Sequence, residues 1–453
     1  MASSLRDGEV GPALITVRRE GAVREFRMRP SMVLQAALLS IVVGNLVRIS
    51  IFSASGRGVP LTVVDIAAVV FIVAGGMATM QQRTLKLDSV ALMAVAFITV
   101  AAFSTVSAAP RFGLSMMQVA VAGAQLARWV MYFGVYVVAI NTVVRRDVVP
   151  VWKALETCVL LFSAFGLVQS AFFPGFAQMV YPDSRNWVDW DVQGHRLVST
   201  ILDPNFAGAF IMLALLVEVA LISTGVRVAQ WKPLLLIAAL LATASRGSIL
   251  ATVIGLALIV LVRGRSKKLM SLFGVVSLGV VIALPKIIQY AASFNKLRVD
   301  DPSAMGRLVS WARALTVFAD HPIIGIGYNT WSAIQTQYGW EQVAGSVFGL
   351  DGGLLFIAVL TGVVGLSLYV LMFVLACRRS WHIWRNPAQS DFDRGMAIGI
   401  AAASIALVIH SLFVNSLLLP FLMEPLWVLW AIGFAIRKPE TPTVAAERRE
   451  LAA

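Results

Sequence analysis

The chain has 453 residues, of which 58% are hydrophobic and only 13% charged, with a formal net charge of +13. A mean hydropathy of +0.81 excludes a soluble globular protein. The basic residues fall in short clusters between apolar runs, so membrane orientation accounts for the charge and no nucleic-acid partner is called for.

Runs of about 20 apolar residues, the length that crosses a bilayer as a helix, recur along the chain. Residues 1–30 carry Arg6, Arg18, Arg19, Arg24, Arg27 and Arg29 and read as a cytoplasmic tail. Spans are expected at 31–52, 61–81, 88–107, 118–144, 151–172 and 204–224. Two short runs, 231–244 and 247–262, meet at Ser245-Arg246-Gly247, and further spans follow at 269–288, 353–376, 394–414 and 418–436. The reading is an all-α integral membrane protein of about 12 transmembrane helices with both ends cytoplasmic. Helices one to nine occupy 31–288, a large outer loop 289–352, helices ten to twelve 353–436, and a second tail 437–453.

The charge bias supports this independently. Arg83 and Lys86, Arg145 and Arg146, Arg227 and Lys232, the cluster from Arg263 to Lys268, Arg378 to Arg385, and Arg437 with Lys438 all fall on one side. The other side receives Pro174–Asp203 and Tyr290–Gly352, which are mixed in sign. No internal repeat is visible, which weighs against the alternative of a lipid or solute transporter.

The interval from Tyr290 to Leu350 is too long for a plain connection. Leu308, Trp311, Leu315 and Phe318 recur at helical spacing, predicting an amphipathic helix over 303–319. Asp300-Asp301-Pro302 supplies its start, and His321-Pro322 with Gly325 its end. Trp331, Tyr338 and Trp340 interleaved with glycines argue for a folded, partly helical cap.

Arg246 lies where two half-length runs meet, near the outer boundary of the hydrocarbon. An ionisable residue there is a functional candidate, and the competing reading is a turn whose arginine snorkels to the headgroups. Arg307 opens the loop helix with Trp311 one turn on. A guanidinium's planar fork suits phosphate, while an exposed helix charge is the plain alternative. Arg196, Asp203 and Asn205 cluster with His195 before the sixth span, where Asp203-Pro204-Asn205 also fits a simple helix cap. Asp351 ends the loop: it is a candidate base for a sugar hydroxyl, or an N-cap for the next span. His321 precedes Pro322 in a turn and reads as structural, and His410 and Glu424 read as bundle contacts. Neither Cys158 nor Cys377 has ligand spacing, and P-loop, HExxH and GxSxG patterns are absent, so neither a metal nor a nucleotide cofactor is expected.

Together these pieces resemble the O-antigen ligase and Wzy-type polysaccharide polymerase superfamily. The resemblance rests on Arg196-Leu-Val-Ser-Thr-Ile-Leu-Asp-Pro-Asn205, Thr243-Ala-Ser-Arg-Gly247, Gly306-Arg307 with Trp311, His321-Pro-Ile-Ile-Gly-Ile-Gly327, and Asp351 leading into Gly362-Val-Val-Gly365. It covers about residues 190 to 370. It implies a GT-C-like membrane enzyme of the bacterial inner membrane. Such an enzyme transfers a glycan from undecaprenyl diphosphate at the periplasmic face, without metal or nucleotide. It also implies a chain-length regulator and a flippase as partners. Carried over, Arg246 and Arg307 hold the diphosphate with Arg196 assisting; an outer-loop residue serves the acceptor hydroxyl in such proteins, and Asp351 is this chain's candidate. Asn205, Ser245, Trp311, His321 and Tyr328 are the further substrate-binding candidates. Ligases of this superfamily begin the post-loop helix with His-Asn, where this chain has Asp351-Gly352, and often carry an acidic residue where it has Leu360. The expected activity is therefore a polymerase, with ligase as the alternative.

Overall fold

The structure, a computed structural model, describes residues 15–19, 22–26, 29–54, 57–81, 85–181, 195–264, 274, 302–340 and 350–437. Two hairpins come early: β1 (Ile15–Arg19) pairs antiparallel with β2 (Ala22–Phe26), and β3 (Arg48–Ala54) with β4 (Arg57–Thr62). The helices in the first half are α1 (Pro30–Ser40), α2 (Val63–Gln81), α3 (Ser89–Phe112), α4 (Met116–Thr142), α5 (Val148–Phe172), α6 (Phe176–Val180) and α7 (Pro204–Ser223). They continue with α8 (Trp231–Ala242), α9 (Arg246–Arg263), α10 (Pro302–Asp320), α11 (Trp331–Ile334), α12 (Gly353–Arg385), α13 (Asp391–His410) and α14 (Pro420–Arg437). Among the described residues, nine helices are long and apolar enough to cross a membrane, and α1 and α8 are shorter apolar helices. The protein is an all-α integral membrane protein in its main architecture. The expected span at 269–288 (residue 274 apart), loop residues 289–301 and 341–349, most of the first tail and the residues after Arg437 lie outside the described set.

The first span is corrected. The expected helix over 31–52 stops at Val43, because Gly44 turns the chain at φ 53° and a Cβ there would sit 2.5 Å from the Thr200 carbonyl oxygen. The Asn45 backbone N–H donates to that same carbonyl at 2.7 Å, and its side-chain amide to the Ile201 carbonyl at 2.9 Å. The chain then enters β3 and β4, a strand pair the hydropathy pattern conceals.

Burial separates the bundle's centre from its rim. The apolar windows of α7 and α14 are 89% buried, against 39% for α2, α3 and α9. Helices apolar on every side belong at the middle, and half-buried ones face lipid. Gly399 lets α13 approach α7 closely, since a Cβ there would be 2.7 Å from the Val217 Cα. At one end of the bundle Arg145 pairs with Asp393 at 2.6 Å, Arg379 pairs with Asp88, and Arg263 donates to the Ser223 carbonyl at 2.8 Å. That end collects the basic clusters read from the sequence. Within the bundle, Arg128 binds Asp65 through two bonds of 2.7 Å, with the Tyr132 hydroxyl adding a third at 2.8 Å.

The His321–Gly327 motif is architectural. Helix α12 breaks at Gly362, where φ is 67°, and the motif docks into the break. The Ile326 and Gly327 N–H groups donate to the Val359 and Leu360 carbonyls at 3.0 Å each, and Val363 N–H donates to the Pro322 carbonyl at 2.7 Å. Ser104 and Arg111 of α3 donate to the Ile324 and Gly325 carbonyls at 2.5 and 3.0 Å. Broken-helix carbonyls in a membrane must find partners, and here the motif supplies them. A Cβ on Gly362 would lie 2.0 Å from the Ile323 carbonyl oxygen. Gly362→Ala is therefore expected to destabilise the purified protein by at least roughly 1–3 kcal/mol, the cost of left-handed strain alone. Gly76→Ala, where a Cβ meets nothing within 4 Å, serves as the control. Equal thermal midpoints for the two variants would contradict this account.

Candidate functional site

The end of the bundle opposite the basic clusters gathers the starts of α7, α9, α10 and α12 and the end of α13. Asp203 caps α7, accepting from the N–H groups of Asn205 and Phe206 at 2.7 and 3.2 Å. Ser245 caps α9. The tight link from α8 to α9 holds Ala244 at φ 48°. It is pinned by the segment before α7: Leu197 N–H donates to the Ala242 carbonyl at 3.0 Å, and Arg196 Nε to the Thr243 carbonyl at 2.8 Å. A cation at the carboxyl end of α8 also suits the helix dipole.

Ser245 Oγ donates to Asn205 Oδ1 at 3.1 Å, and Ser248 Oγ to the Asn205 carbonyl at 3.1 Å, so the starts of α7 and α9 are tied together. Arg246 is the first residue of α9 and is exposed. The starts of α7 and α9 thus lie together, and their N-termini favour an anion there.

Helix α10, predicted over 303–319, is observed at Pro302–Asp320. It lies across the start of α12: Asp351 N–H donates to Ser310 Oγ at 3.2 Å, and a Cβ on Gly352 would sit 3.4 Å from Trp311 Nε1. That indole N–H is buried without a partner among the described residues. The N-cap of α12 is Gly352, with no side-chain cap bond. The capping alternative for Asp351 is therefore set aside. Burial pushes the Asp351 carboxyl above the usual carboxylate range, Asp203 adds to the rise, and the Arg307 guanidinium opposes it. Asp203 is likewise raised by burial, against its two N–H donors and the charges of Arg196 and Arg307. Arg307 is half-buried, and its charge acts on Asp203, Asp351 and His410 together.

The structure therefore brings Arg196, Asn205, Ser245, Arg246, Arg307, Trp311 and Asp351 to one end of the bundle. Two candidates are placed elsewhere. His321 follows the far end of α10, about 20 Å along the helix from Arg307. It packs edge-on against Phe112, and burial and Arg111 hold its pKa below the usual histidine value. Tyr328 is 5% exposed, donates its backbone N–H to Thr105 Oγ1 at 2.9 Å, and packs in the core. The cap aromatics are also taken: Tyr338 stacks on Trp340 at 4.7 Å, Trp340 on Trp331 at 6.1 Å, and Trp331 is buried. His410, ranked low from the sequence, lies in the cluster, with Nε2 3.0 Å from Ser248 Oγ. Glu424 is buried with no partner for its carboxyl among the described residues.

These features define a multi-pass membrane protein with a charged site at one end. Residues 234–370 match the family described as O-antigen ligase, a stretch that runs from α8 past the break in α12 and includes Arg246, Arg307, Trp311 and Asp351. The match supports a glycan-transferring membrane enzyme of the O-antigen ligase and polymerase type. No curated protein matches the chain.

Proposed function

We propose that this protein is a polymerase that joins polyprenyl-diphosphate-linked oligosaccharide repeat units at the periplasmic face of a bacterial inner membrane. The observation that carries the reading is Asp351: a carboxyl free of capping duty, beside Arg307, at the start of α12. In the proposed step, Asp351 takes the proton of an acceptor sugar hydroxyl. The freed oxygen bonds to the anomeric carbon of the donor glycan, and the bond from that carbon to the diphosphate oxygen breaks. The polyprenyl diphosphate leaves with its charge held by Arg246 and Arg307, preorganised cations where negative charge develops. Asp351 then returns its proton to solvent. Asn205, Ser245 and Trp311 line the same end, and Arg196 braces the turn that carries Arg246.

The family description favours a second reading, a ligase that moves the assembled glycan to another acceptor. A strain lacking the protein separates the two. Single repeat units in place of long chains support the polymerase, and long chains stranded on the lipid carrier support the ligase. The orientation has its own expected result: reporters fused after Gly113 and after Asn386 should report opposite sides, the first periplasmic. Both on one side would overturn the placement.

A further inference from the structure

Ser248 Oγ has three polar neighbours: the Asn205 carbonyl at 3.1 Å, Ser245 Oγ at 2.9 Å and His410 Nε2 at 3.0 Å. The Ser248 hydroxyl donates to the Asn205 carbonyl, which leaves its oxygen to accept from His410 in the tautomer that carries a hydrogen on Nε2. The opposite tautomer would draw the Ser248 proton away from the Asn205 carbonyl. The imidazole is 0% exposed, and a Cβ on Gly247 would sit 3.5 Å from its Cδ2. His410 therefore backs the first turn of α9 at Gly247 and Ser248, next in the chain to Arg246, and its hydrogen bond is the first link of a chain through Ser248 to α7.

We infer that His410 is a positioning residue for the diphosphate site: its Nε2–H holds Ser248, Ser248 holds α9 against α7, and this sets where Arg246 meets the substrate's phosphate oxygens. The inference rests on the proposed diphosphate-dependent reading. A glutamine reproduces a donor at the Nε2 position, whereas asparagine reaches only as far as Nδ1, and leucine has no donor.

The test uses the full-length purified protein and inorganic pyrophosphate as probe, read as ligand protection against thermal unfolding, alongside glycan transfer. His410→Leu and His410→Asn are expected to bind pyrophosphate at least about tenfold more weakly, as loss of a buried hydrogen-bond partner allows. Their transfer should fall in parallel, and His410→Gln should restore both. Failure of His410→Gln to rescue, when it melts with the wild type, overturns the inference in favour of imidazole chemistry. Pyrophosphate binding by His410→Leu equal to wild type also overturns it. An activity loss that merely tracks lowered melting in all three variants overturns it as well. If the wild type itself does not bind pyrophosphate, the diphosphate-dependent reading fails first.

Discussion

Asp351→Asn is expected to lower glycan transfer by about 10²–10⁴-fold while the protein folds and melts as the wild type does. The change keeps the shape of the side chain and removes its ability to take a proton. Because Gly352 and not Asp351 caps α12, and because the Asp351 contact to Ser310 is through its backbone N–H, the substitution leaves the recorded local bonds in place. In free energy the loss corresponds to about 3–5 kcal/mol of barrier. Single-turnover transfer with a lipid-linked repeat unit, beside a thermal melt, checks it. Full activity would reject the base, and a parallel loss of stability would return Asp351 to a structural role.

Arg307→Gln should cost about 10²–10³-fold in turnover, the scale of losing one preorganised electrostatic donor. It should also move the pH profile, and the sign follows from the geometry. A base works only when deprotonated, so activity falls on the acid side through the Asp351 pKa, which burial and Asp203 have raised. Arg307 is the charge that pulls this value back down. Its removal raises the pKa further, so the acid limb of kcat/KM shifts to higher pH. Arg307→Lys keeps the charge and should leave the limb near its wild-type place while still losing rate, since an ammonium lacks the planar fork. An unmoved limb in Arg307→Gln would separate Arg307 from Asp351.

The membrane helices and the amphipathic α10 were legible because their signals are periodic and local. The Leu308, Trp311, Leu315 and Phe318 spacing placed α10 within a residue or so of its observed ends. The arginines and Asp351 were legible as charges at apolar boundaries, where only function or capping explains them. Capping and catalysis differ by one bond that no sequence pattern records, and the N-cap of α12 is Gly352. Long-range partners were illegible. His410 stands alone in an apolar helix, and its partner Ser248 is 162 residues away in the chain. The early end of α1 depends on Gly44 meeting Thr200, and the break in α12 depends on Gly362 receiving the Ile323 backbone. Hydropathy reads such helices as continuous. The His321 turn reads as structural from its own residues and as a site only through the resemblance, and its backbone serves α12.

The central claim is that Asp351 and Arg307 act together on a polyprenyl-diphosphate-linked glycan. The most direct measurement is chain formation by the purified protein in lipid vesicles, supplied with one lipid-linked repeat unit and neither nucleotide nor added metal. The account predicts a ladder of lengthened, lipid-linked glycans from the wild type, and none from Asp351→Asn or Arg307→Gln proteins that melt normally. An equal ladder from either variant, or none from a folded wild type given its own repeat unit, would contradict it.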